Sequence, residues 1–295
     1  MKLLDGKKIA NEIKEEIAAE VAKMRERGEK VPHLAAVIVG SDGASLTYVG
    51  SKVKSCERVG FESTMVRLPS TTSEQELLRK IEELNKDTDI DGFIVQLPLP
   101  EQINTQAVIM AIDPDKDVDG FHPTNFGKMA LDMSTFIPAT PFGILELLER
   151  YNVDTQGKHT VVIGRSHIVG RPMSILMGRK GWPGNSTVTL THSHTKNITQ
   201  IISQADIVIS ALGVPRFLKA EMVKDDAVVI DVGITRVADD TKEKGYYITG
   251  DVDFENVSKK ASFITPVPGG VGPMTIAMLL KNTLLARERH RNRKL

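Results

Sequence analysis

Three apolar runs of strand length, LAAVIVG (34–40), STMVRLP (63–69) and GFIVQLP (92–98), recur at nearly even spacing with helical patterns between them. That alternation constrains the fold more than any other feature, because strands separated by helix-length segments must run parallel and be covered on both faces. One intervening helix is expected near Thr47 to Val59, and another opens at Ser73, where Glu76 three residues later completes a capping box. After Pro138 the rhythm restarts. PFGILELLERY (141–151) reads as a connecting helix, and HTVVIG (159–164), STVTLTH (186–192), ADIVIS (205–210), AVVIDVG (227–233) and ASFITPV (261–267) supply five further strand candidates. The last segment, GPMTIAMLLKNTLLARERHR, is amphipathic with a proline near its start and reads as a long helix. The expected class is therefore α/β, with two α/β domains and a cleft between them. The boundaries fall at 1–139 plus 274–295 for the first domain and 140–273 for the second, if the terminal helix returns to the first.

With 295 residues the chain is long enough for two ordinary domains, each with its own core. Lys plus Arg equals Asp plus Glu at 38 each, so no global field attracts nucleic acid or an anionic membrane, and small molecules are the expected partners. The basic tail RERHRNRKL carries no aromatic residue to stack on bases and reads as a solvated helix end. A single cysteine, Cys56, excludes an intramolecular disulfide and sits where helical core packing is expected. MKLLDGKKIANEIKEEI is charged throughout, without the apolar stretch of a signal peptide, and no run of eighteen apolar residues occurs. A cytoplasmic location is expected. Of seven histidines only His192 and His194 lie close together, with no cysteine or carboxylate at zinc-ligand spacing, so no metal is expected.

The run VVIGRSHIVGRP (161–172) stands where a strand turns into a helix, the place at which a dinucleotide's phosphates meet backbone amides and the positive end of a helix. Gly164 and Gly170 bracket it. Ser166 occupies the middle glycine position of G-x-G-x-x-G; a serine still lets the backbone approach a phosphate, and its hydroxyl can donate. The second domain is thus expected to be a Rossmann-like doubly wound parallel sheet. An NAD enzyme places a carboxylate at the end of the next strand for the adenosine ribose; here that strand ends in Thr191-His192-Ser193-His194. Arg165 and the Ser193 hydroxyl match a 2′-phosphate instead, which favours NADP. The alternative is a plain βα turn with a surface arginine.

SLTYVGSK (45–52) places Tyr48 and Lys52 four residues apart, hence on one face of the expected helix; the pair is either pocket machinery or an ordinary stripe of a half-buried helix. Taken in order, TYVGSK, DGFIVQLPLP, DKDVDGFHPTNFG, PATPFGILELL, VVIGRSHIVGRPMS and TPVPGGVGPMTIAMLLKNT cover nearly the whole chain and resemble the bifunctional methylenetetrahydrofolate dehydrogenase/methenyltetrahydrofolate cyclohydrolase family. One departure is Ala139 in Pro138-Ala139-Thr140-Pro141, where the family usually has cysteine, which removes a thiol but little shape.

The resemblance implies a folate-binding catalytic domain, an NADP-binding domain, and one site that oxidises 5,10-methylenetetrahydrofolate with NADP and then hydrolyses the methenyl cation to 10-formyltetrahydrofolate. It carries the catalytic lysine onto Lys52, its partner tyrosine onto Tyr48 and a supporting glutamine onto Gln96. Asp119 falls on the residue that grips the pterin, with Tyr48, Pro268, Gly269 and Gly270 against the folate. Gly164, Arg165, Ser166, Gly170, Ser193 and Ile234 fall on the cofactor, and a homodimer formed through the cofactor domains is implied. Asp113, Asp115 and Asp117 read as a solvated acidic turn beside Asp119, and the DVGI stretch from Asp231 and the GDV stretch from Gly250 resemble loops near the nicotinamide. Two rivals are weighed. A short-chain dehydrogenase shares Tyr-x-x-x-Lys, but its glycine loop precedes that pair, whereas Gly164 follows here by more than a hundred residues. A non-catalytic NADP- or folate-binding module would not need Lys52, Gln96 and Asp119 together, and all three are present.

Overall fold

The computed structural model describes residues 1–40, 43–242 and 245–292, with the backbone alone for 43–48. In chain order the elements begin with β1 (Lys2–Leu3), α1 (Gly6–Glu26), β2 (His33–Val39), α2 (Gly43–Val59), β3 (Glu62–Leu68), α3 (Glu74–Lys86) and β4 (Gly92–Val95). There follow α4 (Thr105–Ala111), α5 (Pro123–Ala130), α6 (Ala139–Arg150), β5 (His159–Ile163), α7 (Gly170–Gly178), β6 (Thr187–Thr191), α8 (Ile198–Ile202) and β7 (Ile207–Ser210). A 3-10 turn (Ala220–Met222) leads to β8 (Val228–Asp231), β9 (Thr235–Ala238), β10 (Tyr246–Thr249), α9 (Phe254–Val257), β11 (Phe263–Ile264) and α10 (Val271–Asn292). Contacts divide the chain into two compact units, Met1–Ala10 with Thr140–Thr275, and Asn11–Ala139 with Ile276–Leu295.

The second of these holds a three-stranded parallel sheet in the order β3-β2-β4. Every residue of the central strand β2 is buried, as its unbroken apolar run requires. β3 differs from the buried strand expected at 63–69: it lies at the sheet edge and its residues are half-buried or exposed. The core joins Ala35, Val37, Val39, Phe93 and Val95 to Leu77, Ile81 and Leu84 of α3 and Val108 of α4. α3 starts where expected, with Ser73 accepting from the Glu76 amide and the Glu76 carboxylate accepting from the Ser73 amide at 2.8 Å. The later part of α10 closes this unit. Its Asn282 donates to the carbonyls of Val118 and Ile137 at 2.8 and 2.9 Å, and Arg287 donates to that of Lys30 at 3.0 Å.

The other unit holds a six-stranded sheet, β1-β11-β8-β7-β5-β6, with every pairing parallel. The chain winds one way from β5 to β6 and the other way to β7 and β8, so its switch point lies at the carboxyl ends of β5 and β7, where ligands bind in such sheets. The expected division placed residues 1–139 together; instead β1 pairs Lys2 with Phe263 and Leu3 with Ile264, and Met1–Ala10 group with this unit. A separate antiparallel ribbon, β9 with β10, is a further element that no apolar run announces.

The loop from Asp113 to His122 corrects the reading of a solvated acidic turn for Asp117, which is buried at 2% exposure. Its Oδ2 accepts from the His122 amide at 2.8 Å and Asn125 Nδ2 at 2.9 Å, and its Oδ1 from the Phe121 amide at 3.2 Å. Burial pushes this carboxyl up to about 7, against the pull of those N–H donors. A carboxyl whose folded pKa is raised contributes stability below its unfolded value of 3.8 that is lost as pH rises toward 7. Asp117→Asn lacks this titration. Its stability deficit relative to the parent, read from urea midpoints, should therefore shrink between pH 5 and 7.5 by on the order of 1–3 kcal/mol; a deficit that is constant or grows with pH contradicts the assignment.

Candidate active site

Lys52 projects from α2 into the three-stranded unit and is 5% exposed. Its Nζ donates to Gln96 Oε1 at 3.2 Å. Gln96 is the first residue beyond β4; its own amide donates to Val37 O at 2.8 Å, continuing the sheet, while its side-chain Nε2 donates to Leu97 O at 2.7 Å. The side-chain amide is thereby turned so that oxygen faces the lysine. Burial pulls the Lys52 amine below the ordinary lysine value, with the Asp119 carboxylate opposing. Burial pushes the Asp119 carboxyl up, with Lys52 opposing. The amine and the carboxyl share a field in which each charge helps the other, and neither is hydrated as in water.

Asp119 belongs to the loop that Asp117 ties down, and both carboxylates line a narrow pocket with Phe93, Val95, Leu97 and Phe121. Cys56, one turn beyond Lys52 on α2, is buried, and its thiol is pushed up to about 12, chiefly by desolvation. It packs as expected and offers no nucleophile at neutral pH. The Tyr48 side chain lies outside the described residues; its backbone belongs to α2. Lys52, Gln96 and Asp119 are thus brought together from positions far apart in sequence.

In the six-stranded unit, β5 ends in the turn that starts at Gly164. Its φ is +108°, and a Cβ there would stand 2.3 Å from the Ala211 carbonyl oxygen that follows β7, so only glycine fits. A Cβ on Gly170 would stand 1.9 Å from the Gly164 carbonyl oxygen, which closes the loop on itself. Ser166 Oγ accepts from the amides of Val169 and Gly170 at 3.1 and 3.4 Å and so begins α7. Its O–H is left to donate. Arg165 is exposed on the same turn, and Ser193 is exposed just past β6. No carboxylate stands among residues 191–195. This cradle of tight backbone, helix start and exposed guanidinium fits a phosphate-bearing dinucleotide.

Ile234, just past β8, is 59% exposed, and its Cδ1 would lie 3.2 Å from a Cβ at Gly272. Pro268 and Gly269 precede Gly270, whose carbonyl packs against Gly6; Gly269 O accepts from the Lys7 amide at 2.8 Å. These residues and the phosphate loop share one unit. Two acids there carry more of the architecture than their loops suggested. Asp231 accepts from the amides of Gly233, Asp251 and Val252 at 2.9, 2.9 and 3.0 Å, and burial raises its carboxyl to about 6. Asp251 is fully buried and accepts from the amides of Leu212 and Gly213 at 2.7 and 3.2 Å. Together they fasten the loops after β7 and β8. An acid ending an apolar strand was the available signal; the junction of three loops was not visible in sequence.

His192 directly follows β6. It is half-buried at the end of β6, and its Nδ1 accepts from the His194 amide at 3.2 Å. Desolvation first, and then the nearby Arg165, hold its ring below the ordinary histidine value. Among the described residues, His33, Glu62 and Asp89 bring one ligand-type atom each within 4.8 Å of one another. There the His33 ring is held by Asp89 at 3.0 Å and Thr64 at 2.9 Å, and Lys30 supplies the cation 3.4 Å from Asp89.

The chain matches two domain families over most of its length. Residues 4–119 match the tetrahydrofolate dehydrogenase/cyclohydrolase catalytic domain, and residues 138–291 match the NAD(P)-binding domain of the same enzymes. It is 83% identical over 291 residues, 99% of each chain, to the bifunctional protein FolD of Flavobacterium psychrophilum. Among solved structures, the bifunctional FolD methylenetetrahydrofolate dehydrogenase/cyclohydrolase of Campylobacter jejuni is 45% identical with a TM-score of 0.92, over 98% of this chain and 99% of that one. The FolD of Trypanosoma brucei, complexed with NADP and an inhibitor, is 40% identical with a TM-score of 0.92, over 97% and 96% of the two chains. On these matches the chain belongs to the bifunctional methylenetetrahydrofolate dehydrogenase/methenyltetrahydrofolate cyclohydrolase family.

Proposed function

We propose that the chain oxidises 5,10-methylenetetrahydrofolate to the 5,10-methenyl cation with NADP and hydrolyses that cation to 10-formyltetrahydrofolate, with Lys52 moving the protons of the second reaction. The observation that carries this reading is the buried Lys52 amine, oriented by Gln96 and coupled to Asp119. In the first step a hydride leaves the methylene carbon, for which NADP, held by the phosphate turn, would supply the acceptor. The folate nitrogens stabilise the developing cation, so the protein's task is alignment rather than acid catalysis.

The second step needs proton movement. Water adds to the methenyl carbon and loses a proton, and the ring nitrogen gains one as its bond to that carbon breaks. A lysine whose pKa is lowered by burial supplies neutral amine to take the first proton, and its ammonium then gives one back. Gln96 Oε1 holds the amine in place through both halves of the cycle. Asp119 presents two acceptor oxygens to the ring N–H and exocyclic amine of the pterin, the donor pair a carboxylate matches best. Tyr48 contributes a flat ring against the folate and a hydroxyl for positioning. Pro268, Gly269 and Gly270 give a stretch where backbone approaches the folate closely.

For the cofactor, Gly164, Ser166 and Gly170 would hold the pyrophosphate at the start of α7, Arg165 and Ser193 the 2′-phosphate, and Ile234 the nicotinamide side. Residues 11–139 with 276–295 form the catalytic part, and the sheet unit forms the cofactor part. A homodimer through the cofactor units and a cytoplasmic location are further parts of this reading. No helix among the described residues is long and apolar enough to cross a membrane.

Lys52→Met should reduce conversion of methenyl- to 10-formyltetrahydrofolate at least about a hundredfold while leaving folate affinity within a few-fold, since a general acid-base group contributes 10²–10⁴; unchanged hydrolysis refutes the role. Tyr48→Phe should keep measurable NADP-dependent oxidation, and complete loss in a folded variant would restore the tyrosine as an acid in hydride transfer. Arg165→Ala should raise the KM for NADP about tenfold or more with little change for NAD, as loss of a charge-assisted contact to phosphate does; equal losses would remove the case for 2′-phosphate recognition.

A further inference from the structure

We propose that His33, Glu62 and Asp89 form a binding site for a divalent cation of the zinc class, at the amino ends of the small sheet and away from the catalytic lysine. His33 opens β2 and Glu62 opens the neighbouring β3, and the two are register partners in the parallel ladder. Asp89 lies in the turn before β4, where its amide donates to Asp87 Oδ1 at 2.8 Å. Gln96, which holds Lys52, follows the other end of β4. No sequence spacing announces the cluster, because three separate segments supply it. One ligand-type atom from each residue lies within 4.8 Å of the others. His33 Nδ1 stands 3.0 Å from Asp89 Oδ2 and 3.7 Å from Glu62 Oε2. Two ligands each about 2.1 Å from a tetrahedral zinc stand about 3.4 Å apart, a separation that these two distances bracket.

The surroundings favour an ion at this point. His33 is buried, and its Nε2 lies 2.9 Å from Thr64 Oγ1. With the proton on Nε2, that contact is a donor bond to the threonine, and Nδ1 is left as a lone pair beside the two carboxylates. Three acceptor atoms this close repel one another unless a cation lies among them. A hydrogen bond from the far ring nitrogen is also what fixes the tautomer of a metal-binding histidine. The backbone is tied down as well: the His33 amide donates to Oδ2 of the buried Asp91 at 3.0 Å, and the Asp91 amide donates to the His33 carbonyl at 3.0 Å. Lys30 takes a different oxygen. Its Nζ lies 3.4 Å from Asp89 Oδ1, which leaves Oδ2 on the side of the ring. One imidazole and two carboxylates, with water completing the tetrahedron, suit zinc, whereas magnesium and calcium take oxygen ligands throughout. A bound ion would tie the edge strand β3 to β2 and to the turn before β4, so its effect is on stability rather than on turnover.

A proton shared between Nδ1 and Asp89 is the competing occupant, and it confers no metal affinity. Zinc chloride alone, titrated by calorimetry into the full chain after treatment with a chelator, separates the two, with thermal midpoints measured in parallel. The expected result is one saturable zinc per chain and a raised midpoint. Binding should weaken at least about tenfold in Glu62→Gln, which loses a ligand, and in Thr64→Val, because losing the partner that orients a metal ligand costs about 10–100-fold. Glu62 is exposed and Thr64 half-buried, so both variants should fold, and His33→Gln serves as a third should either fail. Magnesium at the same concentration should leave the midpoint unmoved, and Glu62→Gln should oxidise methylenetetrahydrofolate as the parent does. Absence of zinc uptake, or equal stabilisation by magnesium, would overturn the proposal. So would uptake whose affinity is unchanged in either variant, as binding at His192 and His194 would give.

Discussion

A lysine amine taken out of water sets the terms for the three-stranded unit. Moving an ammonium group from water into a protein interior costs several kcal/mol even after relaxation. One hydrogen bond from Lys52 to Gln96 returns about 1.5–3 kcal/mol at most, since it involves a charged donor. Burial therefore lowers the proton affinity of the amine, and the nearby Asp119 charge opposes that shift. Such a group is a poor choice for stability and a good one for proton transfer. The surrounding structure accordingly holds it by geometry: Gln96 extends the fully buried β2–β4 pairing, its side-chain nitrogen is occupied by Leu97 O, and only the oxygen is presented to the lysine.

Asp117 extends the same logic one step outward. It holds the amides of Phe121 and His122 and the side chain of Asn125, which fixes the loop bearing Asp119. One residue, Val118, separates this organiser from Asp119, and the sequence DVDG carries no mark of which is which. In the six-stranded unit Asp231 and Asp251 do comparable work by gathering backbone amides from the loops after β7 and β8. Both units therefore use buried acids to gather backbone amides of neighbouring loops.

Much of this architecture was legible in the residues because strand and helix have different periods. The runs at 34–40, 159–164 and 205–210 became β2, β5 and β7, and the Ser73–Glu76 capping box opened α3 at the expected residue. What escaped depends on partners distant in sequence. β1 is only Lys2–Leu3, and it becomes a strand by pairing with residues about 260 positions away. β3 has a buried strand's composition but an edge strand's exposure, and only sheet order decides that. The same holds for the site. Lys52, Gln96 and Asp119 were found through motifs resembling a known family, since neither spacing nor composition brings residues 44 and 23 positions apart together.

The central claim is that burial lowers the proton affinity of Lys52 enough for it to take and return a proton. Its titration can be followed directly by NMR of the side-chain amine in protein labelled at lysine, with Lys52→Met identifying the signal. A midpoint clearly below 10.5, the ordinary lysine value, is predicted. A midpoint at or above that value would mean that the amine is a permanent cation in the folded protein, and the proton-transfer account would be wrong.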